Sequence, residues 1–335
     1  MSGDLLGDSC ARLFADLATR GAIGVAERGE FPAAMWDAVE DAGLARPQVA
    51  EARGGSGGTW LDAWTVLREA GRHAVPLPIA ETVAGSWILA QAGIAVPAGP
   101  LSLACTGDLA LQDGKLGGTA TSVPWGADAA HVVVVTGGNV ALVVRGSAEA
   151  TRESNLAGEP RDTLAWNRAP VIAQAAWHGP DAFALGALVR AAQMAGAIER
   201  VLELSVRHVL ERSQFGRALA ANQAVQQAMA VLAGHAAAAT TAAEHAFHVI
   251  GQGDAVFEIA AAKVRCGEAA GMAANLSHQA HGAIGFTREH SLQHATRRLW
   301  SWRAEFGSES HWAAWLGRRI AARGIDAFWP DLTLR

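Results

Sequence analysis

The sequence predicts a mainly α-helical protein with a small β-domain between two helical parts. Apolar residues recur at helical spacing up to about residue 97. Between about 98 and 178, short β-branched runs alternate with Gly-Gly, Asp-Gly and Pro. From about 179 onward the chain runs in long alanine-rich stretches. The predicted division is an N-terminal helical domain over 1–97, a reduced middle β-domain over 98–178, and a C-terminal bundle of long helices over 179–335.

Each element has local reasons. "FPAAMWDAVEDAGLARP" places Ala33, Trp36, Val39 and Leu44 near helical spacing, stops at Gly43 and meets Pro47. "TWLDAWTVLREAGRHAVPLP" repeats the pattern, and "AETVAGSWILAQAGIAVP" gives a third helix. The glycine-rich "EARGGSGGT" between the first two lacks the Lys-Ser/Thr ending of a phosphate loop, and no apolar strand precedes it, so it reads as a turn. In the middle, Val132 to Val135 and Val140 to Val144 flank a Gly-Gly pair, a hairpin signal. "DAFALGALVRAAQMAGAIERVLELSVRHVLERS" then runs without proline, and two more long segments follow it. Their many small residues let helices approach closely, as in an antiparallel bundle.

Composition narrows the function classes. With a net charge of −5 and 18% charged residues, nothing draws the chain generally to nucleic acid or anionic membrane. The three cysteines (Cys10, Cys105, Cys266) form no CxxC and suit a reducing compartment. "MSGDLLGDSCARLFADLATRG" lacks the basic-then-apolar layout of a signal peptide, and apolar runs are broken by charges, so a soluble, cytoplasmic protein is expected. His278 with His281, and His290 with His294, have helical spacing but no Glu-x-x-His carboxylate, so no metal is expected. The tryptophans near the C-terminus, including Trp300, Trp302, Trp312 and Trp315, read as core or interface packing. "RRLW…WRAEF" and "GRRIAAR" read as a solvated or salt-bridged basic face.

Two motifs carry chemistry. "ERSQFGRALAANQAVQQAMA" contains Arg-x-x-Phe-Gly and, seven residues on, a glutamine; "QAHGAIGFTREHSLQHATRRLW" follows about seventy residues later. Together, and with the order helices, β-domain, bundle, they resemble the acyl-CoA dehydrogenase family. The family fold has an N-terminal helical domain, a middle β-barrel-like domain and a C-terminal long four-helix bundle. The resemblance implies FAD as cofactor, lying across a subunit interface with its diphosphate against a neighbour's Arg-x-x-Phe-Gly turn. By matched position, Arg212, Gln214, Phe215, Gly216 and Gln223 would meet the dinucleotide, with Gln279, Gly282, Ala283 and Gly285 from the second motif. Ala283 departs from the family, which has a glycine there. An arginine fork suits phosphate oxygens.

The family's catalytic glutamate is missing from both of its known places. The loop after the basic helix reads "RAEFGSES", which puts Phe306 before Gly307 and Glu305 one residue too early. On the first long bundle helix the matching position is Gly186, with Arg190 the nearest charge. Of the flavin-ring motifs only Pro124-Trp125-Gly126 echoes. The chain is thus similar to the shorter subunits of bacterial α2β2 acyl-CoA dehydrogenases acting on steroid side-chain CoA thioesters. That resemblance implies a longer catalytic partner, an acyl-CoA substrate and an acceptor such as an electron-transfer flavoprotein, with no catalytic residue on this chain. Two other readings stay open. One is a self-sufficient homomer using Glu305 or Glu244 as base; the other is a flavin-free assembly or binding module.

Overall fold

The computed structural model describes residues 5–214 and 216–333. Its N-terminal part holds α1 (Leu5–Leu17), α2 (Arg20–Ala26), α3 (Ala33–Asp41), α4 (Trp60–Arg72) and α5 (Ile79–Gln91). Gly43 ends α3 at φ 72°, a left-handed conformation that costs glycine little. α4 opens on a capping box in which the Thr59 N–H donates to Asp62 Oδ2 at 2.6 Å. The glycine-rich segment before it is a tight turn folded on itself, with Gly57 N–H donating to Val49 O at 2.8 Å and Gly58 N–H to Pro47 O at 2.9 Å.

The middle part has β1 (Leu101–Ala104), β2 (Gly107–Gln112), β3 (Lys115–Pro124), β4 (His131–Thr136), β5 (Asn139–Val144), β6 (Glu149–Thr151), β7 (Arg161–Pro170) and β8 (Ala173–Ala176). They form two open four-stranded sheets, ordered β1-β4-β5-β8 and β2-β3-β7-β6. This corrects the barrel-like expectation: among the described residues no barrel closes. Not all pairing follows the hairpin pattern: β1 pairs parallel to β4, from Leu101 opposite His131 to Ala104 opposite Val134. A parallel pair needs a long crossover, here the β2–β3 hairpin contributed to the other sheet. β4 and β5 meet through Gly137 and Gly138, both at positive φ. The valine run of β4 lacks polar alternation because both its faces are covered. Val132 and Val134 join a core with Leu116, Leu164 and Trp166, while Val133 joins the helical core.

The last part holds α6 (Ala182–Glu211), a two-residue ladder of β9 (Ser213–Gln214) and β10 (Arg217–Ala218), α7 (Gln223–Val249), α8 (Val256–His281), α9 (Leu292–Trp302), α10 (Glu309–Arg323) and α11 (Ile325–Thr333). α6, α7 and α8 pack on one another, and the shorter α10 lies along α8 as the fourth member of the bundle. α6 is the hub, contacting α4, α5 and α9 as well. Its residues 184–198 are buried without a break. α7 buries only the stripe Leu232, Ala236, Ala239, Ala243, Ala246 and Phe247 and exposes much of the rest. No helix among the described residues is long and apolar enough to cross a membrane.

Candidate functional site

Arg212 caps the C-terminal end of α6, where its backbone N–H donates to His208 O at 2.9 Å. Its side chain is exposed and makes no hydrogen bond or ion pair with the described residues. The chain then turns through the β9–β10 ladder, with Gln214 opposite Arg217. The Leu219 N–H returns to Arg212 O at 2.8 Å, closing the turn. Phe215 lies outside the described residues. Gly216 has φ 79° and open space where a Cβ would stand. Gln223, at the first turn of α7, is exposed behind the N-cap Asn222. From the second motif, Gln279, Gly282 and Ala283 are exposed too, and Gly282 has φ 61° with open space around it. Gly285 differs: it is buried, and a Cβ there would sit 2.9 Å from that of His281, so packing alone requires a glycine.

The two motifs are brought together by histidines. His208 on α6 stacks on His281 at the end of α8, with centroids 4.3 Å apart, and His290 meets His281 edge-on at 4.8 Å. His281 is buried, and its Nδ1–H donates to Ser277 O at 2.8 Å, which leaves Nε2 buried without a partner. His278 points elsewhere, stacking on Phe286 at 4.2 Å and meeting the Thr296 hydroxyl at 3.1 Å. His294 faces Glu27. The sequence pairs are therefore split between different partners, and no group of three or more metal-type ligands forms among the described residues.

A second constellation surrounds Glu305. Its carboxylate accepts from Arg161 Nε at 2.7 Å, Arg190 Nε at 2.7 Å and Asn155 Nδ2 at 3.0 Å. Arg190 also pairs with the buried Glu81, and Arg161 with Glu159 at 3.0 Å. Glu159 in turn accepts from Trp302 Nε1 at 2.8 Å. Burial pushes the Glu305 pKa up, but Arg161 and Arg190 outweigh it and hold it down at about 2. The same carboxylates raise the Arg190 pKa against the effect of its burial.

The next residue completes the arrangement. Phe306 takes a left-handed φ of 51°, which a bulky residue rarely adopts. Trp312 Nε1–H holds its carbonyl at 2.9 Å, and the buried Lys263 ammonium donates to Gly307 O at 2.7 Å and Arg303 O at 2.8 Å. The Phe306 ring rests on Gly186, where any Cβ would fall inside the ring's van der Waals surface. Both places considered for a base thus meet at one point. There the side chains are a phenyl ring over a glycine and a carboxylate turned into ion pairs.

Between this loop and the sheets lies a cavity of about 650 Å³, lined by Thr106, Ser122, Pro124, Phe183, Trp300 and Phe306 among others. That is within the ordinary size of a ligand site. Trp125 does not line it; it is buried edge-on to Phe31 at 6.1 Å. Glu244 is exposed on α7 and does not line it either. The basic C-terminal stripe is salt-bridged: Arg298 reaches Glu159 at 3.2 Å and Arg297 reaches Glu27 at 3.2 Å.

Sequence reasoning missed the ion cluster. Its one local signal is Arg190, a lone charge on an otherwise apolar helix face; its partners come from distant segments.

The titrating groups set an acid limit on stability. Burial lowers His208, His278, His281 and His290 below the usual imidazole value of 6.5. The unfolded chain then takes up these protons first, so stability declines as pH falls through about 6.5. Glu27 and Glu305, both held at about 2, add a further loss once pH drops below their ordinary value of 4.5. Thermal melts are therefore expected to be level from pH 8 to pH 7 and to fall progressively on acidification. A melting temperature that rises between pH 7 and pH 5 would contradict this account.

The acyl-CoA dehydrogenase C-terminal domain model matches residues 180–320, and the acyl-CoA dehydrogenase N-terminal domain model matches residues 4–95. The acyl-CoA dehydrogenase IpdE2 of Mycobacterium tuberculosis (strain ATCC 25618 / H37Rv) is 31% identical over 302 residues, spanning 86% of this chain and 87% of that protein. A chain of the solved ChsE4-ChsE5 complex from Mycobacterium tuberculosis has the same fold, with a TM-score of 0.86 at 23% identity, over 94% of this chain and 96% of that one. A chain of the Tcur3481-Tcur3483 steroid ACAD variant has a TM-score of 0.84 at 22% identity, over 95% and 97%. By these matches along nearly its whole length, the chain belongs to the acyl-CoA dehydrogenase family.

Proposed function

We propose that this chain is a subunit of a heteromeric, FAD-dependent acyl-CoA dehydrogenase, completing the dinucleotide site of a catalytic partner and supplying no base of its own. One observation carries the reading. Arg212, Gln214, Gly216, Gln223, Gln279, Gly282 and Ala283 stand exposed on the surface, while both positions matching the family base hold no available carboxylate. A carboxylate held at about 2 between two guanidiniums is a poor proton acceptor at neutral pH.

FAD, when bound, supplies the hydride acceptor for the α,β-dehydrogenation of an acyl-CoA. This chain's part is binding. The Arg212 fork would take diphosphate oxygens, and the amides of Gln214, Gln223 and Gln279, all exposed, would hydrogen-bond the dinucleotide. Gly216 and Gly282 leave room for close approach, and Ala283 adds one methyl on an exposed turn. The proton would be taken by a carboxylate of the longer partner, and the electrons would pass to an acceptor such as an electron-transfer flavoprotein. The two-chain ChsE4-ChsE5 complex and the steroid ACAD share this fold, which supports a heteromer, α2β2 in our reading, with a steroid side-chain CoA thioester as substrate.

Flavin stoichiometry tests this directly. The chain purified alone should be colourless and the assembled complex should hold one FAD per pair of chains. Arg212→Ala should weaken FAD in the complex by about 1.5–3 kcal/mol, the value of a charged hydrogen bond. One FAD per chain when alone would sink the reading. It would support the self-sufficient homomer, which the 650 Å³ cavity beside Phe306 favours.

A further inference from the structure

Phe306 carries two features that ordinary core packing does not ask for. Its backbone sits at φ 51°, a left-handed conformation that costs any residue with a Cβ. Its ring is only half-buried and lines the 650 Å³ cavity. Behind the ring stands Gly186, buried on α6, where a Cβ would lie 2.3 Å from a ring carbon. Gly186 itself does not line the cavity. The phenyl ring thus stands between the two, in the space that a side chain at 186 would use.

Ring and backbone are held separately. Phe183 meets the ring edge-on at 5.9 Å, and the Arg190 guanidinium lies 5.8 Å from its centre. The fully buried Lys263 ammonium bridges the two ends of the loop, donating to the Arg303 carbonyl at 2.8 Å and the Gly307 carbonyl at 2.7 Å. The carboxylates that act on it, Glu305 and Glu309, are themselves paired with Arg190 and Arg303, so Lys263 is left to the loop carbonyls. Burial pushes it down to about 8, which keeps it charged at neutral pH. Trp312 Nε1–H donates to the Phe306 carbonyl at 2.9 Å, and a Cβ at Gly307 would lie 2.7 Å from that nitrogen. A strained residue persists only where its surroundings over-determine it, and such residues gather at ligand clamps and switches. We propose that Phe306 is a plug that sets the depth of this cavity, and so the size of the apolar ligand it admits. Lys263 and Trp312 are the positioning residues that hold the plug. The inference rests neither on the Arg212 turn nor on a partner chain.

Fluorescence titration of the full chain with two apolar probes, 1-naphthol and the longer N-phenyl-1-naphthylamine, tests it. Phe306→Gly suits the left-handed backbone and removes the ring. It should bind the longer probe roughly tenfold more tightly than the unaltered chain, at one site, because a further ring is buried. Binding of 1-naphthol should stay the same. Lys263→Met and Trp312→Phe should each tighten the longer probe in the same direction, since both free the plug. Added to Phe306→Gly they should bring no further gain, because they act only through the ring. Near-ultraviolet circular dichroism checks that each variant is folded, and where Lys263→Met is not, Trp312→Phe decides the role of the anchors. Unchanged binding of the longer probe by Phe306→Gly would overturn the proposal, as would an equal gain for both probes. Anchor effects that add in full to that of Phe306→Gly would overturn the positioning role.

Discussion

Glu305→Gln should cost the chain about 3 kcal/mol of stability and leave turnover per folded complex nearly unchanged. The stability loss follows from the geometry. The buried Arg190 is shared between Glu81 and Glu305, and Arg161 between Glu159 and Glu305. Neutralising Glu305 leaves two guanidiniums, each less than a tenth exposed, with one carboxylate apiece. Breaking a buried pair from one side costs more than the pair contributes, because the remaining charge cannot be rehydrated. The amide keeps one acceptor oxygen, which holds the loss toward the lower end. Turnover should survive because the carboxylate, although it borders the cavity beside Phe306, is already committed to those pairs. Urea unfolding and steady-state rates on the same preparation separate the outcomes. A loss of several orders in kcat with unchanged unfolding would make Glu305 the base and return the homomeric reading.

Gly196→Ala should destabilise the fold by about 3 kcal/mol, the upper end for overpacking. Gly196 on α6 faces α4, where an added Cβ would collide with the backbone carbonyl of Arg68. Gly71, one turn along α4, meets the Gln193 carbonyl in the same way. The two helices therefore touch backbone to backbone, and no side chain is available to move aside. Separation would also stretch the ion pairs that bridge the crossing, Arg68 to Glu199 at 2.8 Å and Arg72 to Glu203. Alanine's better helix propensity, about 1 kcal/mol over glycine, offsets only part of this. Thermal unfolding of the variant decides it. An unchanged or raised melting temperature would mean that the helices do not approach as described.

The local elements were legible because their causes are local. The 3.6-residue spacing of Trp36 and Val39, the capped start of α4, and the Gly137-Gly138 hairpin each depend on neighbours in the chain. The motif turn at Arg212 was legible for the same reason: five consecutive residues and a nearby glutamine make it. The displaced Glu305 was also readable, since a one-residue offset is visible by counting. Where that carboxylate goes was not, because Glu81, Asn155, Glu159, Arg161, Arg190 and Glu305 meet from separated segments.

By itself, then, the sequence determined the helical and β regions, the order of the three parts, the turn at Arg212 and the absence of a glutamate at Gly186 and Phe306. Tertiary structure alone decided that the sheets stay open, with β1 parallel to β4, that Glu305 is bound between two arginines, and that Phe306 fills the space over Gly186. It alone gathered Arg20, Arg28, Arg288 and Arg297 around a cavity. The division is physical: periodicity, capping and turns act within a few residues, whereas ion pairs and close backbone approaches form between residues that only the finished fold brings together.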